Sequence, residues 1–136
     1  MKVGVTGTRE GATDHQLLSI IEFLKTINSV SELHHGDCKG VDEQVAAIAR
    51  ALGYKTVCHP PVSNYLRAYH PSDEFRPPLG YLQRDRNIVD ETELLLVVPL
   101  HATRQAKSGT WYTHDYAVRT DKPVKLFLPE TKHEML

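Results

Sequence analysis

Five consecutive aliphatic residues, Leu94-Leu95-Leu96-Val97-Val98, limit what this chain can become more than any other feature. Successive side chains of a strand point to opposite faces, so a run that is apolar at every position must be covered on both. An inner strand of a parallel sheet, layered between helices, meets that condition. The run is far shorter than the ~20 residues that span a bilayer, so it predicts a buried strand of a globular domain.

The flanking pattern agrees. Residues 2–6 are short, β-branched and followed by Gly7, which predicts a first strand. Thr13 with Gln16 three positions on forms a capping-box signature, and Leu17, Ile20, Ile21, Leu24 and Ile27 then recur at helical spacing, to an end near Asn28. Residues 32–35 predict a weak second strand. Val41, Val45, Ile48, Ala49 and Leu52 form the stripe of a second helix that Gly53 stops, and residues 55–59 a third strand that Pro60-Pro61 halts. Residues 60–78 hold five prolines, several charges and three aromatics with no sustained period. Such a segment inside a compact domain is expected to be an ordered functional lid. Residues 79–90 predict a helix, residues 108–119 another, and residues 124–128 a last strand, with a loosely held tail from Pro129. Alternating strands and helices give an α/β domain with a mostly parallel sheet of about five strands and right-handed crossovers.

A chain of 136 residues is expected to be a single domain, 1–136, with the lid-like insertion at about 60–78. The formal net charge of -1 disfavours non-specific nucleic-acid binding, which rests on an excess of Lys and Arg. Cys38 and Cys58 are too few for a disulfide framework. With no apolar run of membrane-spanning length and no secretory segment after Met1, the expectation is a cytoplasmic protein without a membrane partner. His34 and His35 are adjacent on a strand and face opposite sides, and no ligand pair shows i,i+4 or Cys-x-x-Cys spacing. Neither a metal site nor a cofactor is therefore expected.

In parallel sheets ligands bind outside the carboxyl ends of the strands, and polar clusters fall there. After the first strand come Gly7, Thr8 and Arg9, a tight turn with a guanidinium suited to phosphate. After the second come Gly36, Asp37, Cys38, Lys39, Gly40, Val41 and Asp42, where the aspartates either cap the turn or accept from ribose hydroxyls. Arg84, Asp85, Arg86 and Asn87 precede the apolar strand, and a functional role needs Arg86 or Asn87 to turn inward. Ser108-Gly109-Thr110 opens a helix, where unpaired amides and the helix dipole favour an anion. Trp111 and Tyr112 either stack on a base or belong to the core. Cys38 is either an activated thiol at a helix start or a small residue filling a turn.

This ordered set resembles the SLOG superfamily, the Rossmann-like group that includes cytokinin-activating phosphoribohydrolases and the DNA-processing protein DprA. The resemblance is carried by Gly7-Thr8-Arg9, Gly36 to Asp42, Arg86-Asn87-Ile88-Val89 and Ser108-Gly109-Thr110-Trp111-Tyr112-Thr113, and it runs from about Val3 to Phe127. More narrowly, the chain is similar to small bacterial and phage proteins that share the pattern His59-Pro60-Pro61, Arg67-Ala68, Asp73 to Pro78 and Tyr81-Leu82. The resemblance implies a three-layer Rossmann-like domain, a nucleotide or nucleotide-derived ligand with phosphate on the Gly109-Thr110 turn, and a homo-oligomer, dimeric or larger. The phosphoribohydrolases carry a catalytic glutamate three positions after that threonine. Here the position is Thr113, which puts hydrolase activity in doubt unless Asp85, Asp115, Asp73 or Glu74 supplies the carboxylate.

Three functions follow as expectations. The first is binding of a nucleotide-like molecule by Gly7, Thr8, Arg9, Gly36, Asp37, Gly40, Asp42, Arg86, Asn87, Ser108, Gly109 and Thr110, with Arg67 and Arg76 of the insertion closing over it. The second is N-glycosidic hydrolysis or ribosyl transfer on nucleoside monophosphates or nucleotide sugars. The third is single-stranded DNA binding, as in DprA, along Lys39, Arg84, Arg86, Lys107 and Arg119, which the net charge disfavours.

Overall fold

The computed structural model describes residues 1–27 and 29–129, and the expected loose tail falls largely outside them. Six strands and four helices follow one another as β1 (Lys2–Gly7), α1 (Asp14–Thr26), β2 (Glu32–His35), α2 (Val41–Ala51), β3 (Lys55–Cys58), β4 (Glu74–Phe75), α3 (Tyr81–Glu91), β5 (Leu94–Val98), α4 (Gly109–Arg119) and β6 (Val124–Leu126). The strands form one sheet in the order β4-β3-β2-β1-β5-β6, and every pairing is parallel. The expected α/β architecture is therefore present, with one strand more than the sequence pattern indicated.

β5 is covered on both faces, as its composition requires. Leu96 and Val98 join Val3, Val5 and Leu33 beneath Ile20 and Leu24 of α1 and Val41, Val45 and Ala49 of α2. Leu95 and Val97 face the other way, onto Ile88 and Val89 of α3 and Ala117 of α4. Two helix layers thus sandwich the sheet. A Cβ on Gly4 would lie 2.8 Å from Ile88 Cγ2, so the bare backbone at that position lets α3 sit against β1.

Local signals set the helix ends. Thr13 caps α1 with the full capping box to Gln16. The Gln16 side chain also donates to the carbonyls of Pro99, at 3.0 Å, and Phe127, at 2.8 Å, tying α1 to the ends of two distant segments.

The added strand, β4, lies within the segment expected to be patternless. Two residues, Glu74 and Phe75, carry no periodicity to read, and the strand exists because of its anchors. The Asp73 carboxylate accepts from the Thr56 amide at 2.8 Å, and the Arg76 amide donates to the Cys58 carbonyl at 2.8 Å. Pro77 and Pro78 follow at once and blunt this edge of the sheet. The segment is closed at its base, where Leu79 N donates to Pro60 O and Val62 N to Leu79 O. Its middle is held by Asp37, described below. Among the described residues no helix is long and apolar enough to cross a membrane.

Candidate functional site

A cavity of about 440 Å³ opens at the carboxyl ends of β1 and β5. One lip is the turn after β1, residues 6–10, and the facing lip is the start of α4, residues 107–111. Asp42 of α2 and Arg84 and Asp85 of α3 reach its floor, and Tyr81 and Leu100 line its walls. Of the residues expected at the site, Gly7, Thr8, Arg9, Asp42, Ser108, Gly109 and Thr110 share this one cavity, as does Asp85.

The α4 lip has the chemistry of an anion cradle. The Ser108 hydroxyl caps the helix by accepting from the Trp111 amide at 3.2 Å. Helix geometry leaves the Gly109 and Thr110 amides without intrahelical acceptors, and the helix dipole adds partial positive charge there. A side chain on Gly109 would meet nothing within 4 Å, so the approach to these amides is open. Trp111 is buried in the cavity wall, and its indole N–H has no partner among the described residues.

Arg84 organises the floor. It is 4% exposed, and its guanidinium donates to the carbonyls of Gly36 and His59, to Asp85 Oδ1 at 2.7 Å and to Cys38 Sγ at 3.7 Å. Burial works against its charge, but the Asp85 and Asp42 carboxylates outweigh that and hold it protonated. Tyr81 stacks beneath two cations, with Arg9 5.2 Å and Arg84 5.4 Å from its ring centre. Burial pushes the Asp42 carboxyl up to about 6, against the pull of Arg84 and with the repulsion of Asp85 behind it. Asp42 Oδ2 accepts from the amides of Gly36, at 3.2 Å, and Cys38, at 3.3 Å. The Asp85 carboxyl is also raised, mainly by burial, while Arg84 and the nearby Thr113 hydroxyl oppose the rise. Thr113 itself donates to Gly109 O at 2.8 Å. Burial likewise raises the Cys38 thiol, so the activated-thiol alternative finds no support.

Other expected residues lie elsewhere. Asp37 is fully buried and points away from the cavity: it accepts from Arg67 Nε at 2.8 Å and from the His70 amide at 2.9 Å, and its carbonyl accepts from Ala68. It therefore fastens residues 66–70 to the end of β2. Arg67 is spent on this contact and on the Tyr69 ring. Arg76 is held by Glu74 and Glu91, so neither arginine of the insertion lines the cavity. Glu74 pairs with Lys55 and Arg76, and Asp115 with Arg104 and His114, which leaves both outside as well. Arg86 is exposed and Asn87 half-buried, and neither reaches the cavity wall.

Two of the expected glycines act through space rather than through ligand contact. A Cβ on Gly36 would sit 2.5 Å from Arg84 Nη1, so that glycine makes room for the guanidinium. At Gly40, φ is +91° and a Cβ would fall 2.6 Å from the carbonyl oxygens of Thr8 and Arg9. Only glycine lets the β2–α2 turn lie against the lip after β1.

The inward-facing arginine was legible in one respect. Arg84 stands four residues before Ile88, on the buried stripe of α3, whereas Arg86 lies two positions on, across the helix. Its burial also removes Arg84 from the exposed basic strip that a DNA-binding reading requires, leaving Lys39, Arg86, Lys107 and Arg119.

No family model matches the sequence, and no curated protein matches it. Solved structures do. The molybdenum cofactor binding protein from the phototrophic bacterium Rippkaea orientalis is similar with a TM-score of 0.70 at 22% identity, over 98% of this chain and 79% of that one. The Moco carrier protein from Chlamydomonas reinhardtii gives 0.67 at 23% identity, over 98% and 80%. DNA processing protein A from Streptococcus pneumoniae gives 0.68 at 19% identity, over 96% of this chain and 51% of that protein. The Rossmann-like fold expected from the SLOG resemblance is thus shared with these proteins across nearly the whole chain, and at such identities the likeness is one of fold.

Proposed function

We propose that this protein binds a phosphate-bearing, nucleotide-like small molecule in the cavity between the β1 and α4 lips. The observation that carries the reading is the pairing of an open helix N-terminus at Gly109 and Thr110 with a facing arginine, Arg9, across one cavity. Phosphate sits on the α4 amides, and the remainder of the ligand lies toward Tyr81 and the Asp42–Arg84–Asp85 floor. A cavity of about 440 Å³ lies within the range of small-molecule sites. Two of the similar structures belong to proteins named for the molybdenum cofactor, so that molecule joins nucleoside mono-, di- and triphosphates and ADP-ribose-like compounds in the panel to test.

The test is a thermal-shift and calorimetric screen of that panel, repeated on Arg9→Ala and Thr110→Val. One member should raise Tm by several degrees, since a ligand at a hundred times its Kd adds about 2.7 kcal/mol. Each variant should weaken its binding at least tenfold. Binding left unchanged in both variants would overturn the assignment.

One observation favours a second reading, cleavage of the ligand's N-glycosidic bond. Asp42, in the cavity wall with its carboxyl near 6, is poised to exchange a proton at neutral pH. Asp85, beside Thr113, places a carboxyl next to the position that the phosphoribohydrolases fill with glutamate. Release of free base from a bound ligand, abolished in Asp42→Asn, would support cleavage, whereas quantitative recovery of intact ligand would reject it.

A further inference from the structure

On the α3 side of the sheet, away from the cavity, β2 and the chain just past the end of β3 present two histidines, His34 and His59, that the ligand-binding reading does not use. His34 and His59 are 0% and 2% exposed, and His34 Nδ1 lies 2.8 Å from His59 Nε2. Their rings are tilted by 39° with centres 5.1 Å apart, so they meet edge on and do not stack. The outer nitrogen of His34, Nε2, is 2.8 Å from Glu32 Oε1, and the outer nitrogen of His59, Nδ1, is 3.8 Å from Glu91 Oε2.

The proton inventory of this row is restrictive. Glu32 fixes a proton on His34 Nε2, so in the neutral ring Nδ1 offers a lone pair toward His59. A single proton, on His59 Nε2, then joins the two rings. That leaves His59 Nδ1 as a second lone pair, facing a carboxylate at a distance too long for a hydrogen bond. A nitrogen of each histidine and a carboxylate oxygen of Glu91 lie within 4.8 Å of one another.

We infer that His34, His59 and Glu91 form a site for a divalent transition-metal ion, with Glu32 orienting His34 from behind. The ion takes the place of the shared proton between His34 Nδ1 and His59 Nε2, and that proton moves to the outer nitrogen of His59, Nδ1, on the edge of the ring away from the ion. Metal–nitrogen bonds of about 2.0–2.1 Å in a tetrahedral arrangement need the two nitrogens about 3.3 Å apart, so the rings must open by about half an ångström. The carboxylate behind His34 is the partner that metal-bound imidazoles commonly keep. Two nitrogens and a carboxylate suit Zn²⁺, Co²⁺ or Ni²⁺ better than the hard cations. The path in runs past Glu91 and Arg76, each about a third exposed and paired with one another at 2.9 Å, so an entering cation competes with the arginine for the same carboxylate. Because the ligands come from three separate elements, no short spacing in the sequence announces them.

The experiment titrates tag-free full-length protein with Co²⁺, read by its visible d–d bands, and with Zn²⁺ by calorimetry. One ion per chain is expected. Its Kd should rise at least tenfold in His34→Gln and in His59→Gln and severalfold in Glu91→Gln, and should be unchanged in His101→Gln, which alters an exposed histidine of the cavity rim. Absence of saturable binding, or binding undiminished in His59→Gln, overturns the inference. If the two buried variants fail to fold, imidazole ¹⁵N shifts of the wild-type protein decide. Zn²⁺-induced shifts on His34 and His59 support the site, and shifts confined to exposed histidines overturn it.

Discussion

Asp42→Asn isolates the electrostatic character of the cavity floor. The amide keeps a carbonyl oxygen where Asp42 Oδ2 accepts from Gly36 and Cys38 but carries no charge. In the wild type the carboxyl rises from 3.8 to about 6 on folding. Below about pH 3 it is protonated in both states and contributes nothing. Between about pH 3 and 6 the unfolded chain ionises while the native state holds its proton, so stability falls as pH rises. Above pH 7 the penalty is complete, and at 1.36 kcal/mol per pH unit of displacement it amounts to about 3 kcal/mol. The Asn variant escapes this loss. Its stability relative to wild type should therefore climb by about 3 kcal/mol between pH 3 and pH 8, measured by urea unfolding under far-UV circular dichroism with equal m-values. Only the difference between the proteins is used, so other titrating groups cancel. Parallel stability curves would refute the reasoning. A wild type that gains on the variant with rising pH would show that attraction to Arg84 outweighs burial.

Further outcomes are expected at neighbouring positions. Gly36→Ala should cost about 1–3 kcal/mol by crowding the Arg84 guanidinium, and calorimetry should show ligand binding lost with it. Gln16→Leu removes half of a capping box and strands the carbonyls of Pro99 and Phe127, a loss of about 2–4 kcal/mol in urea unfolding. Ser108→Ala should cost about 1 kcal/mol through the lost cap of α4, seen as a lower Tm. Asp37→Ala frees Arg67 and the His70 amide, so limited proteolysis should cut within residues 62–72 faster while the far-UV spectrum is unchanged.

The parts of this fold that could be read from sequence are those set by neighbours in the chain. The Thr13–Gln16 box, the stripe of α2 and the apolar run of β5 need only local geometry, and each element lies where its pattern indicated. β4 could not be read, because two residues held by Asp73 and the Cys58 carbonyl owe their conformation to a partner strand. At the site, the two lips were legible because glycine, hydroxyl and helix start coincide in sequence. On the floor the sequence points to Arg86 or Asn87, whereas the structure turns Arg84 inward, on the side it shares with Ile88. Asp37 illustrates the remaining difficulty. Its position at a strand end is the same whether it meets a ligand or fastens a loop, and only the location of Arg67 and His70 distinguishes the two.

The placement of β1 has a consequence for the order of assembly. β1 is flanked by β2, which follows it closely, and by β5, reached only after three helices and three strands. The two lips of the cavity, near Thr8 and Ser108, are about a hundred residues apart in the chain and can meet only after this long closure has been made. The first half of the sheet can form with no trace of the cavity. A ligand seated across the lips therefore recognises only the finished sheet. If the lips join after the folding barrier, that ligand slows unfolding and leaves the folding rate as it is. Its presence would then protect the protein by extending its lifetime, without helping the chain to find its shape.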